Sequence, residues 1–144
     1  MTYGDWEQHV PGDVKNDPVW KVEAYRLSLF LSDLAWEDMI KLLKDRRGRN
    51  LADQLYRVGS GVSANVEEGY SRSTCLDRAR FYEFALGSAR ESRGWYYKSR
   101  RCFSERVIRH RLQLTTQLVS LLVTMTDRER RANRRIARRS EQKQ

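Results

Sequence analysis

The sequence predicts an all-α protein, an up-down-up-down four-helix bundle, for three reasons. Apolar residues recur every three or four positions in four long segments, which is the period of a helix with a buried face. The only two prolines, Pro11 and Pro18, lie near the N-terminus, so a long helix is possible everywhere after them. No segment alternates apolar and polar residues as a half-buried strand does. Short turns between long helices favour a bundle of antiparallel neighbours.

The chain divides into three parts by composition. Residues 1–18 are polar and rich in Gly and Pro, which predicts a loosely ordered N-terminal arm. Asp17 and Pro18 then resemble a helix start, with Asp as the N-cap and Pro in the first turn. The bundle is expected over residues 19–126, and a basic, partly helical tail over residues 127–144.

The first bundle helix, predicted over residues 19–46, carries apolar residues on two arcs. One arc contains Trp20, Ala24, Leu27, Leu31, Leu34 and Leu42, and the other contains Val22, Tyr25, Leu29, Trp36, Ile40 and Leu43. A surface helix of a monomer has one apolar stripe, so two arcs indicate burial in the bundle and against another subunit. We therefore expect a homo-oligomer. Gly48 in the following turn is available for a left-handed C-cap.

The remaining helices are predicted over residues 51–70, over residues 76–101 and from residue 104 onwards. Ser73 or Thr74 can cap the third of the four. Like the first helix, the third has an apolar surface too broad for one interface.

The formal net charge of +9 predicts an anionic partner: nucleic acid, an acidic protein or a membrane surface. Cys75 and Cys102 match no zinc or disulfide pattern, and two free thiols suit a reducing cytoplasm. No run of about 18 apolar residues suggests a membrane-spanning helix. The first residues lack the basic start and apolar run of a signal peptide.

The arginine-rich tail is the strongest functional signal. From Asp127 to Gln144 there are eight basic and three acidic residues, a net charge of +5. Arg128, Arg131, Arg135 and Arg138 recur at spacings of three and four, and Arg130, Arg134 and Arg139 spread around the rest of the helix. Guanidinium groups match phosphate oxygens, so these seven residues are the candidate nucleic-acid contacts. The alternative is a solvated tail that keeps the protein soluble.

Signatures of catalysis are missing from the sequence. No Ser lies on a strand-to-helix elbow, and no Glu-x-x-His pair of the kind that builds a di-iron site occurs. The glycines of "GSGVSANVEEG" follow no predicted strand and precede no Gly-Lys-Ser/Thr motif, which argues against a nucleotide loop. We therefore expect no enzyme, no cofactor and no metal site.

Polar residues form a line along the second helix, beside its apolar stripe. Gln54, Gly61, Asn65, Glu68 and Arg72 share this line. Glu68 can pair with Arg72, and Asn65 can share a hydrogen bond with Glu68. The line is either a polar ligand site or a satisfied polar seam that sets helix register. Gly87, Glu91 and Gly94 form a second line on the third helix, which indicates either close contact or tolerated glycines.

These residues carry a family resemblance. The chain resembles the four-helix-bundle proteins encoded by intervening sequences in bacterial 23S ribosomal RNA genes, which are S23 ribosomal protein-like. The residues that match the family pattern are Gln54, Arg57, Ser60 or Gly61, Ala64, Asn65, Val66, Glu68, Gly69, Arg72, Ser73, Gly87, Ser88 and Glu91. Val66 departs mildly from the isoleucine of the pattern, and Trp20 after Asp17 resembles the family's first helix start.

The resemblance implies a homo-oligomeric bundle, commonly a five-fold ring, without known enzymatic activity. The family is similar in fold to the accessory variability determinants of diversity-generating retroelements. Those proteins are basic pentamers that hold a reverse transcriptase and its template RNA.

Three hypotheses follow. The leading one is a non-enzymatic, oligomeric bundle that binds nucleic acid, RNA rather than DNA, as an accessory to a reverse transcriptase. The second is a protein-interaction scaffold whose basic tail docks an acidic protein, with no direct role in nucleic-acid binding. The third is a small-molecule bundle enzyme.

Overall fold

The computed structural model describes residues 1–144, and every regular element in it is a helix. The elements in chain order are α1 (Tyr3–His9), α2 (Gly12–Lys15), a 3₁₀ turn (Pro18–Lys21), α3 (Glu23–Lys44), α4 (Arg49–Tyr70), α5 (Cys75–Lys98), a second 3₁₀ turn (Arg100–Cys102) and α6 (Glu105–Glu141). The predicted all-α class is confirmed. No helix combines the length and the apolar content that a membrane crossing needs.

The boundaries of the long helices are set by local chemistry. Thr74, rather than Ser73, caps α5, because its hydroxyl accepts a hydrogen bond from the backbone N–H of Asp77 at 3.2 Å. The first predicted helix begins later than expected. Its first turn is a separate 3₁₀ turn at Pro18–Lys21, and Val22 is extended before α3 begins.

Gly48 joins α3 to α4 without the left-handed conformation that we expected. Its φ is −85°, and no glycine of the chain has a positive φ. The position suits glycine for a different reason, since a Cβ there would lie 2.6 Å from the carbonyl oxygen of Leu42. The turn therefore depends on a close backbone approach.

Neighbouring long helices make contacts in which residue numbers rise along one helix and fall along the other. Arg78 of α5 meets Glu129 of α6 at 3.1 Å, and Arg93 of α5 donates to Thr116 of α6 at 3.3 Å. α4 packs against α3 and α5, and α6 packs against α5 and α3. The leucine and valine side chains without exposed surface are Leu31, Leu42, Leu55, Val62, Val66, Leu118 and Leu122.

Helix α3 buries one of its two predicted apolar arcs and leaves much of the other exposed. The fully or nearly fully buried members of the first arc are Ala24, Leu31, Leu34 and Leu42. In the second arc Tyr25 is buried, but Trp36, Ile40 and Leu43 remain 48%, 38% and 45% exposed. These three residues, the α3 strip, lie on one helical face, and the Trp36 ring packs edge-on against Tyr56 of α4. One chain therefore leaves an apolar strip uncovered.

A buried ion pair, which the sequence analysis missed, crosses the core. Asp38 of α3 has no exposed surface, and its carboxylate accepts hydrogen bonds from Arg111 of α6 at 2.6 and 3.1 Å. The Tyr96 hydroxyl of α5 donates to the same carboxylate at 3.0 Å. Burial and the charge of Asp38 raise the pKa of Tyr96, which therefore stays a donor. Burial alone would lower the pKa of Arg111, but hydrogen bonding and attraction to Asp38 outweigh it and raise that pKa.

The first 18 residues are packed, which differs from the loosely ordered arm that we expected. Thr2 and Asp5 form a capping box that starts α1. Trp6 is only 5% exposed, its indole N–H donates to Asp33 at 2.6 Å, and its ring centroid lies 5.3 Å from that of Phe30. The polar composition of the segment does not predict this packing, because a single large aromatic ring is enough to anchor a short helix to the core.

Replacing Trp6 by Ala tests whether the arm contributes to stability. Trp6→Ala should lower the free energy of unfolding by about 3 to 5 kcal/mol, because it removes a buried ring and its hydrogen bond. Urea unfolding followed by circular dichroism measures the change. Gln8→Ala, an exposed change on the same helix, should stay within about 0.5 kcal/mol of wild type. A loosely ordered arm would instead make the two variants unfold alike.

Candidate nucleic-acid interface

The C-terminal helix α6 extends well beyond the rest of the bundle. Its last ion pairs to α5 are made by Glu129 and Arg130. Residues 131–141 continue the helix for about 16 Å, at roughly 1.5 Å per residue. Ile136 lies five turns beyond the buried Leu118 on the same helical line, yet it is 56% exposed. The predicted tail is therefore a helical projection from one end of the bundle.

All seven predicted arginines are exposed on this helix: Arg128, Arg130, Arg131, Arg134, Arg135, Arg138 and Arg139. Arg130 forms an ion pair with Glu83 of α5, whereas the other six have no carboxylate within 4 Å. We name the four that recur along one face, Arg128, Arg131, Arg135 and Arg138, the arginine stripe. Three of its members line a cleft of about 370 Å³, in which Asp127 is the one acidic residue. The cleft is therefore an electropositive surface.

Basic residues also gather at the opposite end of the bundle, where the sequence analysis proposed no site. The C-terminal parts of α3 and α5 lie together there, since the Tyr96 hydroxyl of α5 donates to Asp38 of α3. In the turns that follow these helices, burial and the charge of nearby Asp45 raise the pKa of Cys102. The exposed cations in these turns and at the helix ends beside them are Lys44, Arg46, Arg47, Arg49, Lys98 and Arg101. Among them Arg47 pairs with Asp45 at 3.0 Å. The sequence shows the two basic runs, but only the fold brings them together.

The polar line predicted on the second helix lies on α4. Glu68 and Arg72 form the predicted ion pair at 3.0 Å. The predicted hydrogen bond between Asn65 and Glu68 is absent, because the Asn65 amide donates to the carbonyl of Gly61 at 2.9 Å instead. Asn side chains commonly bond the backbone four residues earlier, and Glu68 already has a partner.

Gly61 of this line and Gly69, the residue after Glu68 in the family pattern, bring α4 and α5 close together. A Cβ on Gly69 would lie 2.6 Å from the ring of Tyr82, and a Cβ on Gly61 would lie 3.3 Å from the Ser88 hydroxyl. Such contacts leave little or no room for a side chain. They favour the interpretation of this line as a structural seam between helices.

The other residues of the pattern make few contacts within the chain. Gln54 accepts a hydrogen bond from Arg57 at 2.7 Å on the exposed face of α4. Glu91 is exposed and has no ion pair. A Cβ on Gly87 or Gly94 would meet nothing within 4 Å, so neither glycine marks a close contact within one chain.

Both a protein-family model and a solved structure are similar to this chain. A family model described as "23S rRNA-intervening sequence protein" matches residues 21–124. A crystal structure of a protein of unknown function from the S23 ribosomal protein family of Bacteroides thetaiotaomicron is similar in fold, with a TM-score of 0.67. The match has 18% sequence identity and covers 72% of this chain and 97% of that chain. No curated protein matches the sequence.

Two glycine-to-alanine changes test the seam. Gly69→Ala should lower the free energy of unfolding by about 1 to 3 kcal/mol, because the buried Tyr82 ring must move aside. Gly87→Ala, the same change at an open position of α5, should raise it by about 0.5 to 1 kcal/mol through helix propensity. Thermal unfolding compares the two. Equal effects of the same sign would contradict close packing at Gly69.

Proposed function

The chain belongs to the 23S rRNA-intervening sequence protein family, and we propose that it is a non-enzymatic, oligomeric four-helix bundle that binds RNA. The arginine stripe of α6 is the contact surface in this proposal. RNA is preferred to DNA because the retroelement accessory proteins, to which the family is similar in fold, hold a template RNA. The four long helices follow an up-down-up-down order, which the opposed directions of neighbouring contacts support.

The observation that carries the proposal is a row of arginines without carboxylate partners. Folding pairs Arg130 and Arg78 with acidic residues but leaves the stripe unpaired on a projecting helix. Unpaired guanidinium groups retain their capacity for two-point contact with phosphate oxygens. Each such contact releases counterions from the nucleic acid, which strengthens binding at low salt.

The chemistry of the stripe predicts backbone contact rather than base recognition. Arg131 and Arg135 are about 6 Å apart along the helix axis, and Arg138 follows after about 4.5 Å. No aromatic residue lies among them, so bases have nothing to stack on there. Contacts to phosphates position a nucleic acid but carry no sequence information. We therefore expect binding by the stripe with little sequence preference.

Exposed apolar surface supports the oligomeric part of the proposal. The α3 strip lies on one side of the bundle, and Leu76 and Phe84 of α5 remain 62% and 48% exposed. Because α3 and α5 each pack between α4 and α6, their outer faces point to opposite sides. Contact between two different faces of successive subunits can close into a ring. The number five is the one that the family resemblance implies.

A reverse transcriptase is the protein partner that the similarity to retroelement accessory proteins suggests. In this proposal a basic surface of the assembly contacts the RNA, and another surface of the same rigid assembly contacts the enzyme. Co-purification with a reverse transcriptase encoded beside this chain is the direct test of that partner.

Removing two charges from the stripe tests RNA binding. Arg131→Gln/Arg135→Gln should weaken binding of a short single-stranded RNA and reduce its log–log salt slope by about 1.4, since each phosphate contact contributes about 0.7. Fluorescence anisotropy over a salt series measures both quantities.

Arg57→Gln/Arg90→Gln is the matched control, because it removes two exposed charges from the middle turns of α4 and α5. It should leave the slope unchanged. Equal slopes for both double variants and wild type would remove the stripe from the mechanism. RNA-independent capture of an acidic protein by the stripe, without any RNA binding at low salt, would favour the scaffold hypothesis instead.

Charging the α3 strip tests the oligomer. Trp36→Glu/Ile40→Glu should convert the assembly to a monomer of 17.1 kDa, because it places two carboxylates in an apolar contact. Light scattering after size exclusion measures the mass. Gln113→Glu/Gln117→Glu adds the same charge to an exposed face of α6 and should leave the mass unchanged. A wild-type protein that is already a monomer would refute the ring.

A further inference from the structure

A cavity of about 650 Å³ opens at the same end of the bundle as the arginine stripe. It lies between the turn Pro18–Lys21, the first residues of α3, the end of α4, the start of α5 and residues 120–129 of α6. Val22, which is extended between the 3₁₀ turn and α3, is one of its lining residues. Sites for small molecules typically enclose roughly 300 to 1,000 Å³, so the cavity is large enough for a ligand.

The floor of the cavity is apolar and its mouth is aromatic. Val22, Leu121 and Met125 are half-buried there, and Tyr82, which also lines the cavity, is buried. Tyr70, at the end of α4, is 39% exposed at the mouth. Thioether and aliphatic groups adapt to flat rings, and an exposed tyrosine offers a face for stacking. The cavity therefore suits a planar heterocycle.

The rim of the cavity is cationic. Lys21 and Arg128 are exposed and have no carboxylate within 4 Å. Arg78 is occupied by Glu129 at 3.1 Å, so that pair contributes no free charge. Glu23 is the one acidic lining residue outside an ion pair, which leaves two free cations and one free anion. The balance favours an anionic group beside the heterocycle.

The cavity is continuous with the arginine stripe. Arg128 and Thr124 line both the cavity and the cleft that contains Arg131 and Arg135. An RNA strand whose phosphates follow the stripe would therefore bring a neighbouring nucleotide to the mouth beside Tyr70.

We propose that this cavity binds one unpaired nucleotide, with its base on the apolar floor beside Tyr70 and its phosphate at Arg128 and Lys21. The inference rests on the proposed RNA binding and defines its ligand class as single-stranded. Bases of a duplex are paired and stacked inside the helix, whereas unpaired bases can turn outward and stack on aromatic rings. The stripe alone contacts phosphates, which both forms of RNA present. Preference for single strands must then come from the cavity.

Two variants of the chain test the cavity: one removes an aromatic ring from it, and the other fills it. Tyr70→Ala removes the ring at the mouth, and Ser120→Trp, at an exposed lining residue of α6, fills the cavity. Each should weaken binding of a short oligoadenylate by about 5- to 20-fold, because one stacked base is lost. Binding of a blunt RNA duplex should stay unchanged, which also shows that the variants are folded. Fluorescence anisotropy measures both affinities.

Matched controls use the same substitutions elsewhere. Tyr97→Ala removes an exposed tyrosine at the opposite end of the bundle, and Gln117→Trp adds a tryptophan to α6 outside the cavity. Both should bind the oligoadenylate and the duplex like wild type.

The outcomes separate this inference from the proposed function. If both cavity variants bind the oligoadenylate like wild type while the stripe variant does not, RNA binding stands and the nucleotide site is overturned. If the wild-type protein binds no RNA, both the proposed RNA binding and the nucleotide site are overturned. Calorimetry with 5′-AMP shows whether the ligand is a free nucleotide or part of an RNA strand. If 5′-AMP binds and Tyr70→Ala weakens its binding, the site is supported with a free nucleotide as ligand. Cavity-dependent binding of the oligoadenylate alone supports the site with RNA as ligand.

Discussion

The buried carboxylate of Asp38 imposes the strictest constraint on this structure. It is held by two N–H groups of Arg111 and by the hydroxyl of Tyr96, so that α3, α5 and α6 meet at one point. Removing one partner of a buried ion pair typically costs roughly 3 to 5 kcal/mol, which is a large share of the stability of a domain. A shift of α6 by one residue would rotate Arg111 by about 100° away from Asp38. The ion pair therefore sets the register of three helices.

That register also decides what projects from the bundle. With Arg111 opposite Asp38, α6 reaches the start of α5 near Glu129 and Arg130, where the last ion pairs between the two helices form. The helix continues beyond this point without a neighbour, and its arginines find no carboxylates. The same geometry aligns the arginine stripe with the cavity between α3 and α6, because Arg128 belongs to both. The Asp38–Arg111 pair thus fixes where the arginine stripe lies relative to the cavity.

The glycines of α4 and α5 show what the sequence pattern predicts about helix packing and what it does not. The sequence marked Gly61 as a small residue beside an apolar stripe, and the structure places it against α5. It marked Gly87 and Gly94 in the same way, yet both are open. The pattern alone cannot separate these cases, because a glycine that admits a neighbouring helix and one that faces solvent have the same spacing. The two kinds of glycine differ only in whether a side chain of another helix lies against them.

The sequence by itself determined the all-α class, the four long helices and the exposed arginine-rich tail. Each depends on periodicity, on proline positions or on net charge, all of which act over a few turns of one helix. The tertiary structure decided the packed position of Trp6, the Asp38–Arg111 ion pair, the second basic surface and the cavity beside Tyr70. The groups of each lie far apart in the chain, and Asp38 and Arg111 are separated by 73 positions. No spacing rule connects such residues, because their proximity arises only when helices bury their apolar faces together.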